Sequence, residues 1–95
     1  MRLDKHEKKA LKYALKDFCG EIYLFGSRTN NSKRGGDIDI LLVPKIKARP
    51  FKLALDIQRK FFSQCEEDID VVIYKNSPFC REILKSAKQL DIKRI

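Results

Sequence analysis

At 95 residues and 11.1 kDa, the chain has room for one domain and too little for two. It carries 21 basic against 13 acidic residues, a formal charge of +8, with 43% apolar and 36% charged residues, a globular composition with a heavily charged exterior. No apolar run nears the ~18 residues of a membrane span, and the opening MRLDKHEKKALKYALKDF is amphipathic and charged, unlike a signal peptide, so a cytoplasmic chain is expected.

The first predicted element is a helix from Leu3 to Phe18. Leu3, Ala10, Leu11, Ala14, Leu15 and Phe18 form its apolar stripe, and Lys5, Lys8, Lys9, Lys12 and Lys16 cover its outside. Gly20 stops it. A short strand follows over 21–25, rich in β-formers and ended by Gly26. The segment 28–36, RTNNSKRGG, reads as a polar loop. A second strand runs over 37–43 and stops at Pro44. A second amphipathic helix spans Arg49 to Gln64, with Phe51, Leu55, Ile57, Phe61 and Phe62 as candidate core contacts. A third strand covers 68–74. Ser77-Pro78 opens a final helix, expected to run from about Phe79 to Leu90.

Cys19, Cys65 and Cys80 are odd in number and form no C-x-x-C pair, and His6 is the single histidine, so a zinc site of ordinary spacing is excluded. All three cysteines are expected to be reduced and to fill core positions.

The chemistry lies in the polar residues at the strand ends. Residues two apart on a strand share a face, so Asp37 and Asp39 project side by side. Two such carboxylates need a cation, and hard oxygen ligands suit Mg²⁺ or Mn²⁺. The third strand, DIDVVIY, echoes the second, DIDILLV. If the intervening helix is a crossover, the two strands are parallel and their acidic starts meet at one sheet edge. Asp70 is chosen over Asp68 as the third carboxylate because it directly precedes the apolar run, as Asp39 does. An antiparallel return from the first strand brings Gly26-Ser27 to the same edge. Glycine permits close approach of a ligand, the serine hydroxyl and amide suit phosphate, and Arg28, Lys33 and Arg34 add positive charge. Together these residues describe a nucleoside triphosphate site, in which two metal ions activate an attacking hydroxyl and stabilise the pyrophosphate leaving group.

LFGSRTNNSKRGGDIDILLV resembles the motif of the minimal nucleotidyltransferases of the DNA polymerase β superfamily, and IDVVIY resembles that family's third-carboxylate strand. The closing SPFCREILKSAKQL is similar to the family's final helix. The resemblance implies an α+β fold of order α-β-β-α-β-α, with a mixed sheet of three or slightly more strands flanked by helices. It implies that Gly26, Ser27 and Arg28 hold the nucleotide, that Asp37, Asp39 and Asp70 form a two-metal Mg²⁺ site, and that Asp70 helps to activate the acceptor hydroxyl. It also implies transfer of a nucleoside monophosphate, AMP from ATP foremost, to a hydroxyl on a small helical HEPN-type protein, with this chain as the antitoxin of the pair. Larger relatives carry a further domain for the acceptor, so a chain of this length is expected to depend on its partner. The alternative is a catalytically weak module that neutralises a partner by binding it. The lysines of the first helix lack interleaved aromatics, which argues against sequence-specific nucleic-acid binding. Phe79, Ile83 and Leu90, with apolar positions of the second helix, are where a partner contact is sought; the alternative is that both helices simply pack on the sheet.

Overall fold

The computed structural model describes residues 3–26, 38–46 and 49–94. Seven elements follow in order: α1 (Lys5–Leu15), β1 (Gly20–Phe25), β2 (Ile38–Pro44), α2 (Pro50–Gln64), β3 (Ile69–Ile73), α3 (Pro78–Ser86) and β4 (Lys88–Gln89). The α-β-β-α-β-α order holds, with one short strand added at the end.

α1 begins where its sequence offers a reciprocal cap. The Asp4 carboxylate accepts from the Glu7 N–H at 2.8 Å, and the Glu7 carboxylate accepts from the Asp4 N–H at 2.9 Å. Ala10, Leu11, Ala14 and Leu15 then turn one buried stripe inward. Gly20 opens β1 with φ +150°, and an added Cβ would overlap the Val43 carbonyl and lie 2.9 Å from Pro44 Cα. Only glycine fits where β1 begins opposite Pro44 at the end of β2.

The sheet order is β3-β2-β1-β4. β1 is antiparallel to both β2 and β4, whereas β2 and β3 are parallel. α2 is the crossover that a parallel pair requires. Ile22, Leu24, Ile38, Ile40, Leu42 and Ile69 supply the sheet's share of the main core, and α1 together with Ile57 and Phe61 of α2 covers it. Leu41, on the opposite face of β2, is buried outside that cluster, as is Cys80 of α3.

Five expectations change. α1 covers Lys5–Leu15 and stops short of Phe18. The final helix ends at Ser86, because Ala87 turns extended (φ −71°, ψ 149°) and Lys88 and Gln89 pair with Leu24 and Tyr23. That pairing covers the outer edge of β1 over those residues. Leu90 is therefore beyond the helix and 3% exposed, its N–H donating to the Ile22 carbonyl at 2.8 Å, so it cannot meet a partner. Phe51 and Phe62 are exposed, since Ile57 and Phe61 already define the inward face of α2 and the two phenylalanines lie on a different one. Cys65 and Cys80 are buried as expected, but Cys19, in the turn between α1 and β1, is exposed. Among the described residues, no helix is long and apolar enough to cross a membrane.

Candidate active site

The strand register decides what meets at the sheet edge. Asp39 and Asp70 are direct partners across the parallel β2–β3 pair, and Phe25 is the partner of Asp39 across β1–β2. Neighbouring strands lie about 4.8 Å apart, and directly aligned residues share a face. Ile38, Ile40 and Leu42 of β2 belong to the core cluster, and Ile69 of β3 does too. Asp39 and Asp70 therefore project from the opposite face, side by side. Asp39 is half-buried and Asp70 exposed. The ladder continues one residue outward, where the Ile38 N–H donates to the Asp68 carbonyl at 3.4 Å. Asp68 is exposed at this same end of β3.

Gly26 follows β1 directly and has φ +77°, a conformation that favours glycine. A Cβ there would fall on the Asp39 carboxylate oxygen Oδ2. The backbone leaving β1 thus lies against the carboxylate of β2. A side chain at position 26 would displace that carboxylate. The sequence marks Gly26 as a point of close approach to a ligand, and the structure adds its close approach to Asp39.

Three of the expected site residues, Ser27, Arg28 and Asp37, lie outside the described residues, as do Lys33 and Arg34. The three within them, Gly26, Asp39 and Asp70, converge on one edge. Two carboxylates at adjacent register positions repel each other and favour a compensating cation. Their oxygen chemistry fits a hard divalent ion.

A second acidic group was not anticipated from the sequence. Carboxylate oxygens of Asp4, Glu7 and Glu67 lie within 4.8 Å of one another, with Glu7 1% exposed. Asp4 and Glu7 are already engaged as the reciprocal cap of α1, which accounts for their proximity. The pattern D-x-x-E before an apolar run is the signal that could have located it.

Among the described residues, clefts open on two sides of the fold. One of about 830 Å³ lies between α1, the start of β1 and the segment after β4, lined by residues including Lys16, Phe18, Glu21, Leu90 and Lys93. The other, of about 410 Å³, is lined by Gln58, Arg59 and Phe62 of α2 with Glu67, Asp68 and Ile69, and adjoins the acidic edge.

The sequence profile of the family "Polymerase beta, Nucleotidyltransferase" matches residues 9–93, and the chain belongs to that family. Solved structures similar to the chain include toxin–antitoxin complexes with an MNT antitoxin. A mutant MntA–HepT toxin–antitoxin structure is 26% identical over 95% of this chain and 73% of its own, with a TM-score of 0.71. A tri-AMPylated HEPN toxin in complex with MNT antitoxin from Shewanella oneidensis is 26% identical over 88% of this chain and 67% of its own, with a TM-score of 0.61. A toxin–antitoxin structure with AMP-PNP shares the fold, at 23% identity, 86% and 70% coverage and a TM-score of 0.67. No curated protein matches the chain.

Proposed function

We propose that this chain is the antitoxin nucleotidyltransferase of a toxin–antitoxin pair, transferring AMP from ATP to a hydroxyl of a HEPN-type partner protein. The observation that carries the reading is the register of Asp39 against Asp70 beside Gly26. A family motif dispersed over three strand ends becomes one carboxylate edge. The Shewanella oneidensis relative, whose HEPN toxin is tri-AMPylated, supports the acceptor class, and the relative with AMP-PNP supports an adenine nucleotide.

In this reading the Gly26 backbone, the Ser27 hydroxyl and the Arg28 guanidinium hold the triphosphate. Asp37, Asp39 and Asp70 supply the oxygens that hold Mg²⁺. Bound Mg²⁺ contributes Lewis-acid polarisation of the phosphate and neutralises charge on the leaving pyrophosphate. Asp70, on the outermost of the three strands that meet at this edge, orients the acceptor hydroxyl and draws off its proton. The acceptor oxygen bonds to the α-phosphorus as the bond to the bridging oxygen breaks, and pyrophosphate departs. Gly26 keeps the space beside Asp39 clear of a side chain.

The test is incubation with α-labelled ATP, Mg²⁺ and the protein encoded beside this one, followed by mass analysis of both chains. One or more AMP adducts on the partner, absent with Asp39→Asn, are expected. A tight complex without adduct, unchanged by Asp39→Asn, would replace transfer with neutralisation by binding.

A further inference from the structure

The outer flank of α2 has no role in the core or the carboxylate edge. Phe51 and Phe62 are 83% and 58% exposed, and with half-buried Leu55 they recur at the spacing of one helix face. This face lies on the side of α2 towards the sheet edge. Gln58, on the same stripe, donates from Nε2 to the Ile69 carbonyl of the edge strand β3 at 3.3 Å. At its C-terminal end the stripe runs into the 410 Å³ cleft, where Phe62 and Arg59 face Asp68, two residues before Asp70. An exposed apolar stripe that leads to a reaction centre is the form a docking surface takes.

The charge beside the stripe selects the occupant. Segment 49–64 carries four bases, Arg49, Lys52, Arg59 and Lys60, against one acid, Asp56. Lys52 and Arg59 are exposed and flank the phenylalanines. A second copy of this chain, itself at +8, would set base against base across a two-fold contact. We propose that the Phe51–Leu55–Phe62 face is the docking surface for the acceptor protein, and that it takes a protein face with an apolar centre and an acidic rim. The proposal rests on the reading above that the acceptor is a protein. Docking here brings the partner's modified segment past Asp68 to Asp70. Phe51 and Phe62 are the anchors, and Lys52 and Arg59 supply orientation and speed of encounter.

The experiment measures complex formation and adduct formation separately, with the neighbour-encoded protein as the probe. Phe51→Ser/Phe62→Ser removes the anchors from exposed positions and should leave the thermal midpoint and its rise with ATP and Mg²⁺ unchanged. It should weaken the complex at least tenfold. Arg59→Glu should weaken it severalfold and flatten its salt dependence, whereas Phe79→Ser, on α3, should change it less than twofold. Asp39→Asn should bind as wild type does and yield no adduct. Wild-type affinity in the double variant, or an equal loss in Phe79→Ser, overturns the docking surface while leaving transfer standing. A complex that needs Phe51 and Phe62 but yields no adduct overturns transfer and retains the surface. If the wild-type chain binds no partner, or forms a homodimer that the double variant dissolves, the proposal fails outright.

Discussion

Gly26 and Gly20 look alike in the sequence and serve different ends. Each has a positive φ and no room for a methyl group, but the obstruction at Gly20 is the backbone of β2, whereas at Gly26 it is the carboxylate of Asp39. Alanine at either position meets backbone strain of about 1–2 kcal/mol. Gly20→Ala should therefore lower the thermal midpoint by roughly 4–16 °C while preserving the rise with ATP and Mg²⁺. Gly26→Ala should lower the midpoint less, since a side chain can swing where a backbone cannot, and should abolish that rise. Differential scanning fluorimetry with and without ligand separates the two. Asp39→Asn, which keeps the shape of the side chain, should also lose the rise and leave the unliganded midpoint close to that of wild type. A rise retained in Asp39→Asn would disqualify that carboxylate as a metal ligand.

The cysteines show a residue-scale effect of burial. Burial, with the charge of Glu67 nearby, pushes the Cys65 thiol above its usual value. A thiol raised in the folded state ionises first in the unfolded chain. Its contribution to stability is thus complete below about pH 8.5 and declines as pH rises beyond that value. In native protein at pH 7.5, iodoacetamide should modify exposed Cys19 alone, with Cys65 and Cys80 following only on unfolding, a pattern that peptide mass analysis reads directly.

At the scale of elements, sequence pattern located the helices and strands by the forces that also built them. The proline after Ser77 and the run of β-formers in β1 are local, and local signals survive in one dimension. What the pattern missed depended on competition between distant parts. Phe51 and Phe62 match a core stripe as well as Ile57 and Phe61 do; only the placement of α1 and the sheet decides which face turns inward. Lys88 and Gln89 have no strand character of their own and become β4 because β1 has an edge to offer. The meeting of Asp39 and Asp70 was more legible than these, since the parallel crossover follows from one intervening helix and brings the starts of β2 and β3 to one edge. Ser77 gives a test of the local part. Its hydroxyl accepts from the Cys80 N–H at 3.3 Å and caps α3. Ser77→Ala should cost about 1 kcal/mol in urea unfolding, and Ser77→Asp should recover most of that loss. A neutral Ser77→Ala would mean that Pro78 and packing alone set the start of the helix.

For the whole molecule, the order β3-β2-β1-β4 places its two sheet edges in different conditions. Among the described residues β1 is shielded by β4, whereas β3 ends the sheet on its far side and carries the β-branched run Val71-Val72-Ile73. Such a strand invites pairing with other chains while the protein folds. Asp68 and Asp70 are the charges at its entry, so Asp70, the acid proposed for chemistry, also stands where a gatekeeper against aggregation would. Neutralising Asp70 should then have a second effect unrelated to catalysis. During refolding at tens of micromolar, Asp70→Asn should scatter light sooner and bind thioflavin T more than wild type, whereas Asp39→Asn, on an interior strand, should not. On the proposed reading one side chain, Asp70, both guards this strand edge against aggregation and serves transfer, so solubility and activity are coupled at a single carboxylate.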